Sequence, residues 1–338
     1  MMAALWFKRL ILLAPLLALT VVGLGAYVRL SDAGLGCPDW PGCYGQLSVP
    51  QHPADVAAAA SAYPDKPLEQ HKAWKEMLHR YLAGTLGLVI LGLCVLGWRG
   101  RKQLAISPWL PTVTTGLVAL QAMLGMWTVT LLLKPAVVSA HLLGGMLTLA
   151  LLVWMAHRHW GRIASTQISP IHRRWIRLAL CVVLLQIILG GWTSANYAAL
   201  ACTDFPTCQS SWMPALNYAD AYHVLRELGQ GPDGNALSAD ALVTIQWTHR
   251  LGALLTLLVC GTLALSLLNL GLINKGTDTV IAKVLLILLV CQISLGIANV
   301  LLRLPLLLAV AHNVFAALLL STLVATPSSP PPKPPEET

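Results

Sequence analysis

Charged side chains are scarce in this chain of 338 residues: Asp, Glu, Lys and Arg make up 11% of it, against 56% hydrophobic residues. Soluble domains carry about 25% charged residues, so the composition excludes an ordinary soluble fold. The 22 basic residues outnumber the 14 acidic ones but form no basic stripe on a soluble face, which argues against nucleic acid as a partner. The shortage of charge therefore indicates an integral membrane protein.

Charge-free apolar segments recur along the chain at about the 20-residue length that crosses a ~30 Å hydrocarbon core. They predict an all-α integral membrane protein with eight transmembrane helices, at about 10–28, 79–98, 109–131, 137–156, 176–194, 247–270, 282–302 and 305–325. The first segment follows Lys8-Arg9 as a signal peptide would, but it is long and lacks a clear A-x-A cleavage site. We expect it to remain as an anchor.

The distribution of Lys and Arg predicts the orientation in the membrane. With the N-terminus inside, 13 of the 22 basic residues fall in short inner segments, and the others are spread over two long outer loops. Both termini are then cytoplasmic, and the Pro-rich tail 327–338 is expected to be disordered. The expected location is the inner (cytoplasmic) membrane of a bacterial cell.

The sequence contains a similar half twice. His-Arg and Ala-His pairs are separated by 62 residues in the first half and 63 in the second, and a Cys-x5-Cys motif recurs 165 residues later. Four helices per half imply parallel repeats, related by an axis along the membrane normal. The predicted halves are 1–174 and 175–326, with equivalent residues at the same depth and all four histidines toward the outer, periplasmic side.

The four histidines of these motifs lie in or beside apolar segments, and they are His79, His141, His249 and His312. A single intramembrane histidine could be a packed residue bonded to a carbonyl, but two matched pairs favour function. Zinc would need two further ligands, and a di-iron site would need several carboxylates, which the segments do not supply. Haem needs only axial ligands and an apolar pocket, so the pattern predicts one haem per half.

One asymmetry between the halves concerns a carboxylate. Glu76 precedes His79 by three residues, on the same helical face, whereas Gln246 holds the corresponding place before His249. The difference predicts chemistry in the first half and redox storage in the second, with Glu76, His79 and His141 as catalytic candidates. The alternative is that Glu76 is a helix-start carboxylate favoured by the macrodipole.

Two further sets of residues repeat with the histidines. Arg80 and Arg250 could bind haem propionates or act as snorkelling anchors at the membrane surface.

The two outer loops, which face an oxidising compartment, contain two pairs of cysteines, which are expected to form disulfides. A redox-active dithiol is the alternative to a structural disulfide. The pairs are Cys37 with Cys43, and Cys202 with Cys208.

Together these motifs resemble the haem A synthase family over roughly residues 8–325. The resemblance is carried by the two Cys pairs and by Glu76-Met77-Leu78-His79-Arg80, Ala140-His141-Leu142-Leu143-Gly144, Trp247-Thr248-His249-Arg250 and Ala311-His312-Asn313. It implies a haem b cofactor held by His249 and His312. It also implies a site for haem O, the substrate, at His79 and His141.

The resemblance further implies oxidation of a methyl group of haem O to a formyl group, through an alcohol, with oxygen from water. The expected partners are membrane lipid, an electron acceptor that the sequence does not identify, and haem O synthase. Two other functions stay open at this point. One is a di-haem b-type membrane electron carrier, and the other is a disulfide oxidoreductase working through the loop cysteines.

Overall fold

The computed structural model describes residues 2–104, 106–160, 169–274 and 278–326. Within these ranges the secondary structure is helical, apart from a short 3₁₀ turn at Ala198–Leu200 and three isolated β-bridges. The helices are α1 (Met2–Leu30), α2 (Pro53–Ala62), α3 (Gln70–Arg99), α4 (Trp109–Thr130), α5 (Pro135–Trp160), α6 (Pro170–Ala195), α7 (Tyr218–Ala221), α8 (Ala239–Asn274), α9 (Asp278–Leu301) and α10 (Leu306–Ala325).

Eight of these helices are long and apolar enough to cross a membrane, and α2 and α7 are short loop helices. The prediction of an all-α protein with eight spans is confirmed at this level. The Pro-rich tail lies outside the described residues. Helix α6 begins at Pro170, so the predicted boundary at 174/175 lies within its first two turns. The division into two halves stays a prediction.

The contacts between helices follow two closed rings. In the first ring α1 contacts α3, α3 contacts α4, α4 contacts α5, and α5 returns to α1. In the second, α6, α8, α9 and α10 contact one another in the same order. The rings meet where α1 and α5 pack against α10 and where α5 packs against α6. Side chains from both rings share one buried apolar cluster, so the eight helices form a single packed body.

Two long loops lie at the same end of the bundle. Loop 31–69 joins α1 to α3, and loop 196–238 joins α6 to α8. The ends of α1 and α6 meet there, because Arg29 donates hydrogen bonds to the Ser194 carbonyl (2.9 Å) and the Tyr197 hydroxyl (2.8 Å). We call this end of the bundle the disulfide side, since both loops contain a disulfide.

The starts of α3 and α8 differ from the prediction. His79 and His249 were expected at helix ends, but α3 begins at Gln70 and α8 at Ala239. The prediction was wrong because hydropathy marks where a segment enters the hydrocarbon, not where its backbone hydrogen bonds begin. Residues 70–78 mix charged and apolar side chains, most of them good helix formers, and loop 31–69 packs on Ala73 and Met77, so the helix extends beyond the apolar stretch.

Candidate functional site

The four histidines lie at matched positions along opposite helices of the two rings. His79 follows the first residue of α3 by nine positions, and His249 follows that of α8 by ten. His141 and His312 each follow the first residue of their helix by six positions. At 1.5 Å per residue these depths are about 14 and 9 Å from the helix starts on the disulfide side. His79 and His141 thus lie on opposite helices of the first ring, as His249 and His312 do in the second.

Each imidazole packs against a glycine of the neighbouring helix. A methyl group on that glycine would approach the Cε1 atom of the imidazole to between 2.9 and 3.3 Å, tighter than most side-chain contacts, so the imidazole would have to shift. The pairs are Gly25 (α1) with His79, Gly125 (α4) with His141, Gly190 (α6) with His249, and Gly296 (α9) with His312. Each imidazole therefore lies directly against the backbone of the neighbouring helix on one side.

The polar surroundings of the two pairs differ. The amide nitrogen of Gln186 lies 3.1 Å from Nδ1 of His249, and Nδ1 of His312 is 3.1 Å from the carbonyl of Gln292. In the described ranges, Nδ1 of His79 and Nδ1 of His141 are buried without a well-formed hydrogen bond.

These residues fit haem better than a bare metal ion. The described residues contain no group of three or more His, Cys, Asp or Glu side chains that could hold a metal. A haem iron takes the remaining ligands from its porphyrin and needs only two axial donors from the protein. Half-buried imidazoles on opposite helices of each ring, each backed by glycine, fit that requirement.

Glu76 is buried, with 5% of its surface exposed, and lies one turn before His79. Its Oε2 accepts the backbone N–H of Cys37 at 3.0 Å, and its Oε1 accepts a hydrogen bond from Arg80. It lies in the second turn of α3, where the macrodipole of the helix start has faded. Glu76 therefore joins the first disulfide loop to the helix that carries His79.

Gln246 makes the corresponding contact in the second ring. Its Oε1 accepts the backbone N–H of Cys202, and its Nε2 donates to the carbonyl of Ala199 at 2.6 Å. The structural task of Glu76 is thus performed by a neutral amide at the equivalent place. The backbone contact itself therefore needs only an acceptor oxygen, whereas the charge of Glu76 also pairs with Arg80.

Arg80 and Arg250 bind the backbone of the disulfide loops. Arg80 donates to the carbonyls of Asp39 (3.0 Å) and Gly42, and Arg250 donates to those of Thr207 (2.7 Å) and Cys202 (3.1 Å). Both arginines are therefore held by the loop backbone, although Nε of Arg250 is buried without a hydrogen-bond partner among the described residues. Their predicted role toward haem propionates stays a prediction.

Both predicted disulfides are formed, between Cys37 and Cys43 and between Cys202 and Cys208. All four cysteines are fully buried beneath their loops. Each loop also has a cis peptide bond before its proline, at Trp40-Pro41 and Phe205-Pro206, so the loops share one backbone design.

An aspartate shapes each disulfide loop from within. Asp39 accepts the backbone N–H groups of Tyr44 (2.6 Å) and Gly45 (2.8 Å). Asp204 accepts the hydroxyl of Thr207 at 2.6 Å together with two backbone N–H groups. These hydrogen bonds, that of Thr207 foremost, lower the pKa of Asp204 to about 2. The carboxylate therefore stays ionised and holds the turn.

Sequence reasoning missed the glycines behind the histidines and the contact between Gln186 and His249. A signal was available, because Gln-x3-Gly precedes each histidine-bearing helix except α3, where the same spacing reads Val21-x3-Gly25. The loop contacts of Glu76, Arg80 and Arg250 had no comparable signal, since they join residues about 40 positions apart.

Fold and site define a class: a helical membrane protein with eight spans, whose two matched pairs of half-buried histidines lie on the side of the disulfide-bonded loops. Residues 8–324 match the COX15-CtaA family, described as cytochrome oxidase assembly protein, and the chain belongs to that family.

Relatives from several bacteria match almost the whole chain. A heme A synthase of Shewanella oneidensis is 44% identical over 325 residues, which cover 94% of both proteins. Heme A synthases of Methylobacterium radiotolerans and Rhizorhabdus wittichii are 30% and 27% identical, covering 90% and 93% of this chain and 84% and 91% of their own.

Proposed function

We propose that this protein is a haem A synthase, which oxidises a methyl group of haem O to a formyl group. The observation that carries the proposal is the difference between Glu76 and Gln246 in otherwise matched surroundings. Each accepts the backbone N–H of the first cysteine of its loop, but one of them carries a charge. Because a neutral amide suffices for the backbone contact, the carboxylate of Glu76, paired with Arg80, is the group that could act on a bound substrate.

The proposed arrangement assigns different haems to the two rings. Haem O, the substrate, would bind between His79 and His141, next to Glu76. Haem b would bind between His249 and His312 and supply one-electron redox chemistry. Two halves with parallel topology are proposed on the matched positions of the histidines, glycines and loops. The positive-inside distribution supports cytoplasmic termini and haem sites facing the periplasm.

The conversion requires an electron sink and a proton acceptor. Water supplies the oxygen, and four electrons and four protons leave for each methyl group converted through the alcohol. Glu76 lies on the same face of α3 as His79 and could accept a proton or stabilise positive charge developing at the substrate. Arg80 holds the carboxylate in place. Electrons would pass to an acceptor outside the chain, and haem O synthase is the proposed source of substrate.

The test is chromatography of haems extracted from membranes that contain this protein and a supply of haem O. Wild type should yield haem A or its alcohol precursor. Glu76→Gln should keep its haems but yield neither, because the amide can still accept the Cys37 N–H while a proton acceptor is lost. Glu69→Gln is the matched control, since Glu69 is an exposed carboxylate of the same loop that pairs with Lys72. It should behave as wild type.

Other outcomes would support different functions. Unchanged haem O, with haem b in both sites of the purified protein, would support the di-haem electron carrier. Full activity of Glu76→Gln would contradict the role of Glu76. Activity that survives loss of the histidines but not of the four loop cysteines would support a disulfide oxidoreductase.

A further inference from the structure

A positively charged side chain lies over an aromatic side chain at the same place in both rings of helices. Tyr27 in α1 and Trp192 in α6 each follow the glycine that backs a histidine by two residues. The ammonium of Lys75 lies 5.0 Å from the centre of the Tyr27 side-chain ring. The guanidinium of Arg226 lies 5.5 Å from the centre of the Trp192 ring. Because α1 and α6 both end on the disulfide side, these cations lie on that side of the imidazoles.

The two cations come from unrelated parts of the sequence. Lys75 belongs to α3, and the residue at the matched position of α8 is the uncharged Ile245, which packs in one buried cluster with Trp192. Arg226 belongs instead to loop 196–238. Duplication of a half would have repeated the cation on the matched helix. A cation that returns to the same place from another segment indicates that the place requires positive charge.

Arg226 is buried, with 3% of its surface exposed, and no other Lys or Arg among the described residues is buried. Its guanidinium donates to the side-chain oxygen of Asn196 (2.6 Å) and to the carbonyl of Asp220 (2.5 Å). Across the described ranges it forms no ion pair, and its Nε is buried without a hydrogen-bond partner. Neutral oxygens solvate a buried charge without cancelling it. The surroundings of Arg226 therefore suit a carboxylate ligand.

Both cations are connected to the helix faces that carry the histidines. Lys75 precedes His79 by four residues, so the two side chains share one face of α3. Ile245 precedes His249 by the same distance on α8, and the Trp192 beside it lies under Arg226. Each cation is thus positioned above the histidine of its own ring, toward the covering loop.

Haem has two propionate groups at one edge of the porphyrin, and carboxylates form charge-assisted hydrogen bonds with Lys and Arg. We propose that Lys75 in the first ring and Arg226 in the second bind a propionate of the haem that is held by the histidines of the same ring. The inference rests on the proposed function, which assigns one haem to each ring. Arg80 differs from these residues because Glu76 already neutralises it.

The experiment compares haem b with its dimethyl ester, in which both propionates are neutral. The full-length purified protein carries His141→Ala, so that only the second site retains both axial ligands, and dissociation constants are measured by absorbance titration. Arg226→Gln should weaken binding of haem b about 10- to 100-fold, the effect of one hydrogen bond to a charged group. It should leave binding of the ester unchanged, so the preference for haem b shrinks by the same factor.

Two further variants separate charge from loop support. Arg226→Lys keeps the charge and should keep part of the preference. Arg177→Gln is the matched control, since Arg177 is an exposed arginine near the opposite end of α6, and it should keep the whole preference. Equal weakening of haem b and ester by Arg226→Gln, or an unchanged preference, would overturn the inference. Absence of bound haem from the wild-type protein would instead overturn the proposed function.

The first ring is tested in the same way in a His312→Ala background. Lys75→Met should reduce the preference of the first site for haem b over the ester. Lys72→Met is the control, because Lys72 lies in the same turn region of α3 but is paired with Glu69. Equal preferences in these two variants would contradict the assignment of Lys75.

Midpoint potentials give a readout that loop support alone would not move in this pattern. A propionate that loses its cation leaves more negative charge near the iron, which favours ferric iron. Arg226→Gln should therefore lower the midpoint potential of haem b in the second site and leave that of the ester unchanged. Equal shifts with both haems would indicate a rearranged pocket and would contradict the proposed contact.

Discussion

The contact between Glu76 and the first disulfide loop should be worth several kcal/mol. Replacing Glu76 by alanine leaves Arg80, whose side chain is 13% exposed, without its carboxylate, and leaves the buried N–H of Cys37 without an acceptor. Breaking a buried ion pair by removing one partner typically costs about 3–5 kcal/mol. We expect a loss of about 3 kcal/mol, because Arg80 retains its bonds to the loop carbonyls.

Glutamine at the same position should cost less, because Gln246 performs the same task in the second loop. The amide keeps an acceptor for the Cys37 N–H and loses only the charge on its bond with Arg80. We expect a loss of about 1.5 kcal/mol, the lower end of the range for a hydrogen bond to a charged group.

Hydrogen exchange followed by mass spectrometry on loop 31–69 measures both losses as local opening. At 1.4 kcal/mol per factor of ten, protection should fall about 100-fold in Glu76→Ala and about tenfold in Glu76→Gln. Gln246→Ala is the control, and its effect should be confined to loop 196–238. Equal protection in the alanine and glutamine variants would refute the reasoning, since the backbone contact would then contribute nothing.

Two further predictions concern the disulfide and the glycines. Replacing Cys37 and Cys43 together by serine should lower the free energy of unfolding of the loop by about 2 kcal/mol, because the unfolded loop gains entropy when it is no longer closed. Haem A formation should fall only partially. Complete loss of haem A formation with both haems retained would instead point to dithiol chemistry. Gly25→Ala should displace the imidazole of His79 and reduce the haem content of the first site, measured by pyridine haemochrome stoichiometry. Gly116→Ala, whose added methyl group meets open space, should leave the haem content unchanged. Equal haem content in the two variants would contradict the packing argument.

The number of spans was predictable because hydropathy reports transfer into hydrocarbon, which every membrane helix must satisfy by itself. The starting residues of α3 and α8 could not be predicted in this way, because their first turns are stabilised by the loops that cover them. The disulfide partners followed from short spacing within one loop. The hydrogen-bond partners of Arg80 could not be predicted from spacing, since the carbonyls that it binds become its neighbours only when loop 31–69 folds onto α3.

The sequence by itself determined the membrane class, the histidine pairs and the asymmetry between Glu76 and Gln246. These depend on composition and on fixed spacings along the chain, which survive in any folded arrangement. The tertiary structure decided what those residues contact: the loop amide bound by Glu76, the glycine behind each imidazole, and the amide of Gln186 beside His249. Such contacts depend on which helices become neighbours, and that is set by packing across the whole bundle.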